Sequence, residues 1–275
     1  MDDLEFQYLT GQARPGFPAL FEAFERRSAE AVRDSACELD LRYGTAERCT
    51  FDFFDAGLAA RGVLVYLHAG YWQWRDKAGF RFIAPALVRR GLHVAMVNYP
   101  LCPTVTLADL TETVRTAVPA VLGRVDAALP LVAMGHSAGG HLAMEMALTD
   151  WTARGLPMAT VAGVIALSGL YDLAPLAQTS LNANLRLDAQ TAAAASPLYR
   201  ATPDGAPLLL AAGADETRAM REQSRRMHEV WLAMGNPSVL HFEPDADHFS
   251  LLQPLVAPRS ALGRQVDLLL ERALG

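Results

Sequence analysis

The stretch Leu131-Val132-Ala133-Met134-Gly135-His136-Ser137-Ala138-Gly139-Gly140 runs from buried apolar residues directly into a serine with a glycine two positions away on either side. This order reads as a strand, a sharp turn and a helix that together expose a nucleophile. Glycine is required at both flanks because a β-carbon at Gly135 or Gly139 would collide with the neighbouring strand or helix at so tight a turn. The helix after Ser137 directs its free N–H groups and positive dipole end back at the spot where an oxyanion forms during acyl transfer. The pattern implies a serine hydrolase.

Upstream lies a second apolar run, Val63-Leu64-Val65-Tyr66-Leu67-His68-Ala69-Gly70-Tyr71-Trp72, ending in a His-x-Gly loop. Backbone N–H groups of Gly70 and Tyr71, with that of Ala138, are the expected oxyanion hole. His68 is read as a brace for the loop, not as a base. Tyr71 and Trp72, beside the hole, are candidates for holding an aromatic leaving group, with plain core packing the alternative.

With 275 residues, 51% hydrophobic and 20% charged, the chain suffices for one large α/β domain, residues 1–275, and leaves no surplus for a second. A net charge of −6 argues against a nucleic-acid or anionic-membrane partner and for a small-molecule substrate. The pairs Arg26-Arg27, Arg89-Arg90 and Arg225-Arg226 read as solvated helix faces. Three cysteines without C-x-x-C spacing suggest neither a disulfide framework nor a zinc site, and no metal or cofactor is expected. The acidic start Met1-Asp2-Asp3-Leu4-Glu5 lacks an apolar signal region, so a cytoplasmic location is expected. A homodimer is compatible with all of this.

Phe17, Leu20, Phe21 and Phe24 recur at helical spacing, an N-terminal arm over residues 1–35. Residues 38–43 and 49–54 alternate as half-buried strands of an antiparallel edge hairpin. Buried strands at 63–67, 94–98, 131–134, 161–167, 208–212 and 239–242 then alternate with amphipathic helices, the layout of a mainly parallel sheet covered on both faces. One helix carries Leu107, Leu110, Val114, Ala117, Val118, Val121, Leu122 and Val125 on a stripe, capped by Thr106 with Asp109. Another spans about 216–234, with Met220, Met227, Val230, Trp231 and Met234 inward and Gly235 as its left-handed cap. Residues 169–200 are less regular and read as a lid-like insert over the C-terminal sheet edge, where open α/β sheets bind ligands.

A serine needs an imidazole within reach and a carboxylate to orient that imidazole. The strand at 208–212 runs into Asp215, the first choice for the acid; Asp172 is the competitor, and Glu216 is read as a helix-start carboxylate. His248, after the last strand, suits the base. His93, His136, His141, His228 and His241 are assigned structural or exposed roles, and Asp245 and Asp247 serve the turn.

With Ser137, Asp215 and His248 in place, the chain resembles the α/β-hydrolase superfamily and, within its esterase-lipase branch, the kynurenine formamidases (arylformamidases). The likeness is carried by Pro18-Ala19-Leu20-Phe21, His68-Ala69-Gly70-Tyr71-Trp72-Gln73, Gly135-His136-Ser137-Ala138-Gly139-Gly140, Ser168-Gly169-Leu170-Tyr171-Asp172-Leu173, Ala214-Asp215-Glu216-Thr217, Arg221-Glu222-Gln223-Ser224 and Asp247-His248-Phe249. Family members usually have His-Gly-Gly where this chain has His68-Ala69-Gly70. The resemblance implies N-formylkynurenine as substrate, cleaved to kynurenine and formate in tryptophan breakdown without metal or cofactor. Two alternatives stand beside it, a carboxylesterase for short acyl esters and a non-catalytic hydrolase fold that binds a small ligand.

Overall fold

The computed structural model describes residues 3–275; Met1 and Asp2, where the acidic N-terminal stretch begins, lie outside the described residues. Eight strands form one sheet: β1 (Cys37–Arg42), β2 (Thr50–Phe54), β3 (Gly62–Leu67), β4 (Leu92–Val97), β5 (Leu131–His136), β6 (Val161–Leu167), β7 (Leu208–Gly213) and β8 (Ser238–Glu243). Their order is β1-β2-β4-β3-β5-β6-β7-β8. Only the β1–β2 and β2–β4 pairs are antiparallel. From β4 to β8 every pairing is parallel.

Successive side chains of a strand point to opposite faces, and β3 shows how that divides the interior. Val63, Val65 and Leu67 face one core with α4 (Leu107–Leu122), α5 (Ala138–Ala147) and α8 (Arg218–Ala233). Leu64 and Tyr66 face the other with α2 (Phe17–Asp34), α3 (Ala84–Val88), α9 (Leu252–Val256) and α10 (Ala261–Leu274). Central strands buried on both sides require continuous apolar runs, which is what the sequence supplies there.

The N-terminal arm comprises α1 (Leu4–Tyr8), a short 3-10 turn and α2. The insert after β6 carries α6 (Asn182–Leu185) and α7 (Ala189–Ala194). No helix among the described residues is long and apolar enough to cross a membrane.

Four expectations need correction. The strand at 239–242 is not buried: β8 is a sheet edge, with Val239 exposed and Leu240, His241 and Phe242 half-buried. The strand at 49–54 is not half-buried: every residue of β2 is buried, because β1 covers its outer edge and helices cover its faces. The alternation in β2 arises instead from Asp52, which is fully buried and bonds Lys77 Nζ at 2.8 Å and Arg81 Nε at 2.7 Å. The helix expected over 216–234 begins only at Arg218, so Glu216 lies in the turn before it, and Met234, past the last helical turn, is exposed. Gly235 does take the left-handed conformation (φ 81°).

Candidate active site

The turn between β5 and α5 holds Ser137 at φ 58°, ψ −119°, a conformation that costs a non-glycine residue energy and persists only where its surroundings enforce it. The enforcement comes from close packing. A β-carbon at Gly135 would sit 1.9 Å from Gly139 O, and one at Gly139 would sit 1.9 Å from Leu67 O at the end of β3. Ser137 N–H donates to Leu167 O at the end of β6 (2.8 Å), fastening the turn to the next strand. Ser137 begins α5 at its positive end.

His248 lies in the loop after β8. Its Nδ1 is 2.8 Å from Glu216 Oε2, and both side chains are almost wholly buried. A carboxylate only accepts, so Nδ1 is the donor of this contact and carries a proton. The same loop is tied to the nucleophile turn by His136, whose Nε2–H donates to His248 O at 2.7 Å. Burial and the neighbouring His248 hold the His136 pKa well below the ordinary histidine value, which keeps this ring a neutral strut.

The carboxylate that meets His248 is thus Glu216 and not Asp215. β7 ends at Gly213, and the turn closes with Glu216 N–H on Gly213 O at 3.2 Å, folding Glu216 back over the strand end. Glu216 Oε1 accepts from Gly213 N–H at 2.8 Å and from the Ser168 hydroxyl, so both carboxylate oxygens are engaged. Asp215, one residue earlier, is exposed, and among the described residues only its backbone is used: its N–H donates to Ala246 O and its O accepts from Arg14. Asp172, the competitor, is committed elsewhere, to Arg226 Nη1 at 2.8 Å and Ala174 N–H at 3.2 Å. The sequence reading missed both Glu216 and Ser168 as members of the site, although both stand in its quoted motifs.

The loop after β3 faces the same centre. Gly70 at φ +135° adopts a conformation side chains rarely reach, and a β-carbon there would lie 2.0 Å from Trp74 O. Among the described residues, the N–H groups of Gly70 and Tyr71 have no hydrogen-bond acceptor. Ala138 supplies the first N–H of α5. His68 is fully buried, stacked on Tyr99 at 4.3 Å, with Nδ1 2.7 Å from Ala69 O and Nε2 3.0 Å from Asn98 Oδ1. Burial pushes its pKa down to about 4.

Trp72 does not reach the site. It is 0% exposed, packed in the core at right angles to His141 with ring centroids 5.0 Å apart, so it offers no surface to a substrate. Tyr71 is half-buried, and its hydroxyl donates to Tyr8 O, which straps α1 across the loop. The insert holds the loop from the other side: Gln73 Nε2 donates to Leu181 O (3.1 Å), and Asn184 Nδ2 donates to Gln73 Oε1 (2.9 Å).

A mainly parallel sheet with a strained serine at the β5–α5 turn, and a buried imidazole–carboxylate pair beside it, defines an α/β-hydrolase. Residues 56–231 match the BD-FAE family, and the chain belongs to it. It is similar to the kynurenine formamidase of Danio rerio, 27% identical over 268 residues that cover 93% of this chain and 91% of that protein. The kynurenine formamidase of Drosophila melanogaster is 27% identical over 235 residues, 82% of this chain and 78% of that one. Of solved structures, a Silicibacter sp. protein provisionally described as a thioesterase superposes with a TM-score of 0.83 at 30% identity, covering 94% and 97% of the two chains. An esterase of Pyrobaculum calidifontis, 18% identical with a TM-score of 0.74 over 94% of each chain, shares the fold.

Proposed function

We propose that this chain is a serine hydrolase that cleaves an aryl formamide, N-formylkynurenine, to kynurenine and formate. The observation that carries the reading is the buried Glu216–His248 pair, at 2.8 Å, in a loop bonded to the turn that strains Ser137. Likeness to two kynurenine formamidases over most of their length supports the substrate.

Ser137 Oγ attacks the formyl carbon while His248 Nε2 takes the hydroxyl proton, and Glu216 stabilises the imidazolium that results. The N–H groups of Gly70, Tyr71 and Ala138 hold the oxyanion. The C–N bond breaks as His248 returns the proton to the departing aniline nitrogen. Water, deprotonated by the same imidazole, then attacks the formyl-serine carbon; the C–O bond to Ser137 breaks, the imidazolium returns the proton to Ser137 Oγ, and formate leaves. Neither a metal nor a cofactor is needed for these steps.

The test compares kcat/KM on N-formylkynurenine and p-nitrophenyl acetate, with Ser137→Ala as the blank. A much higher value for the formamide is expected. Strong ester turnover with negligible formamide cleavage would make the chain a carboxylesterase, and binding of either compound without turnover would make it a non-catalytic ligand binder.

A further inference from the structure

Outside the catalytic centre, a cavity of about 440 Å³ opens between the N-terminal half of α4, the last turn of α5 and the insert. Neither Ser137 nor His248 lines it. Its volume is within the range of small-molecule pockets. Leu107, Leu185, Leu187 and Ala194 form an apolar wall.

The charged lining is unbalanced. Three arginines, Arg115, Arg186 and Arg200, face one acid, Glu145, a surplus of two positive charges. Glu145 is already shared, with Oε2 on Arg115 Nη2 at 2.8 Å and Oε1 on Arg200 Nη2. Arg115 is further engaged by Thr149 and Glu112. Arg200 keeps a buried Nε–H with no partner among the described residues, and burial and the nearby Arg115 lower its pKa. Arg186 makes no side-chain hydrogen bond or ion pair among the described residues. The Thr106–Leu107 start of the 16-residue helix α4 adds its positive end to the same space.

We infer that this cavity is a binding site for a small amphipathic carboxylate, its anionic end between Arg186 and Arg200 and its apolar body against Leu107, Leu185 and Leu187. The inference is independent of the proposed reaction. Two wall residues connect the cavity to the catalytic loops: Asn184 bonds Gln73, and Ala195 O accepts from His141 Nε2 at 2.8 Å, one turn along α5 from Ser137.

The probe is 3-phenylpropionate, titrated calorimetrically into the full chain beside the uncharged 3-phenylpropionamide. The acid should bind about tenfold tighter than the amide. Arg186→Gln and Arg200→Gln should each weaken the acid by about tenfold and leave the amide unchanged. Arg186 is exposed and its side chain makes no hydrogen bond or ion pair among the described residues, so its variant should keep the fold and decides the matter if Arg200→Gln does not fold. Equal binding of acid and amide, no binding of the acid, or acid binding that ignores Arg186→Gln would overturn the inference.

Discussion

Glu216 Oε2 lies 2.8 Å from His248 Nδ1, joining the turn after β7 to the loop after β8 through two side chains almost wholly removed from solvent. Because a carboxylate only accepts, this contact requires the imidazole proton on Nδ1.

The contact separates two adjacent acids by experiment. Glu216→Gln should lower kcat by about three to four orders of magnitude, since an amide leaves the imidazole in the wrong tautomer. Asp215→Asn should stay within about twofold of the parent, because that side chain faces solvent. Steady-state kinetics on both variants checks this, and a larger loss in Asp215→Asn would reverse the assignment.

Close backbone packing at the nucleophile turn predicts intolerance of a single methyl group. In Gly139→Ala the new carbon would meet Leu67 O at 1.9 Å, and backbone has no rotamer by which to yield. The expected cost is about 3 kcal/mol, together with loss of activity. Gly79→Ala, where nothing lies within 4 Å, is the neutral control. Urea midpoints of the two variants make the comparison, and a Gly139→Ala protein as stable as the control would contradict it.

Histidines that are neutral when folded and charged when unfolded make stability fall with acid. Burial lowers His68 to about 4 and His141 to about 3, against 6.5 for the free group, and lowers His136 well below 6.5. Between those folded values and 6.5 the unfolded chain binds more protons, so unfolding free energy rises with pH there and levels off above it. Each group contributes up to about 1.4 kcal/mol per pH unit. Denaturant titrations at about pH 7 and about pH 5 should show a clear loss at the lower value; equal stability would mean that these rings are not held neutral.

Away from the site, Asp52 is fully buried between Lys77 and Arg81, and Lys77 is only 2% exposed. Asp52→Ala leaves the Lys77 ammonium in the interior with, among the described residues, only the largely exposed Asp40 as partner. A loss of about 3–5 kcal/mol is expected by chemical denaturation. A change under about 1 kcal/mol would show that Asp40 alone compensates the lysine.

The sheet was readable because its central strands are covered on both faces and so need long apolar runs; residues 161–167 were placed to the residue. The glycine spacing around Ser137 was readable because the clash it avoids is local to the chain. The acid was not, because which of two adjacent carboxylates points inward depends on the turn from Gly213 to Glu216 and on Ser168, a partner 48 residues away. Trp72 failed for a related reason: sequence adjacency to Tyr71 says nothing of which ring faces the core, and positive φ at both residues redirects the chain there. β2 looked half-exposed because its one acid is buried by cations from a distant segment, which no alternation pattern reveals.

The most direct test of the account is to label the protein with a fluorophosphonate, map the adduct by peptide mass spectrometry and follow N-formylkynurenine hydrolysis as labelling proceeds. The account predicts one adduct, on Ser137, with activity falling in step and no labelling of Ser137→Ala. Full formamide turnover after complete labelling of Ser137, or undiminished turnover by Ser137→Ala, would contradict it.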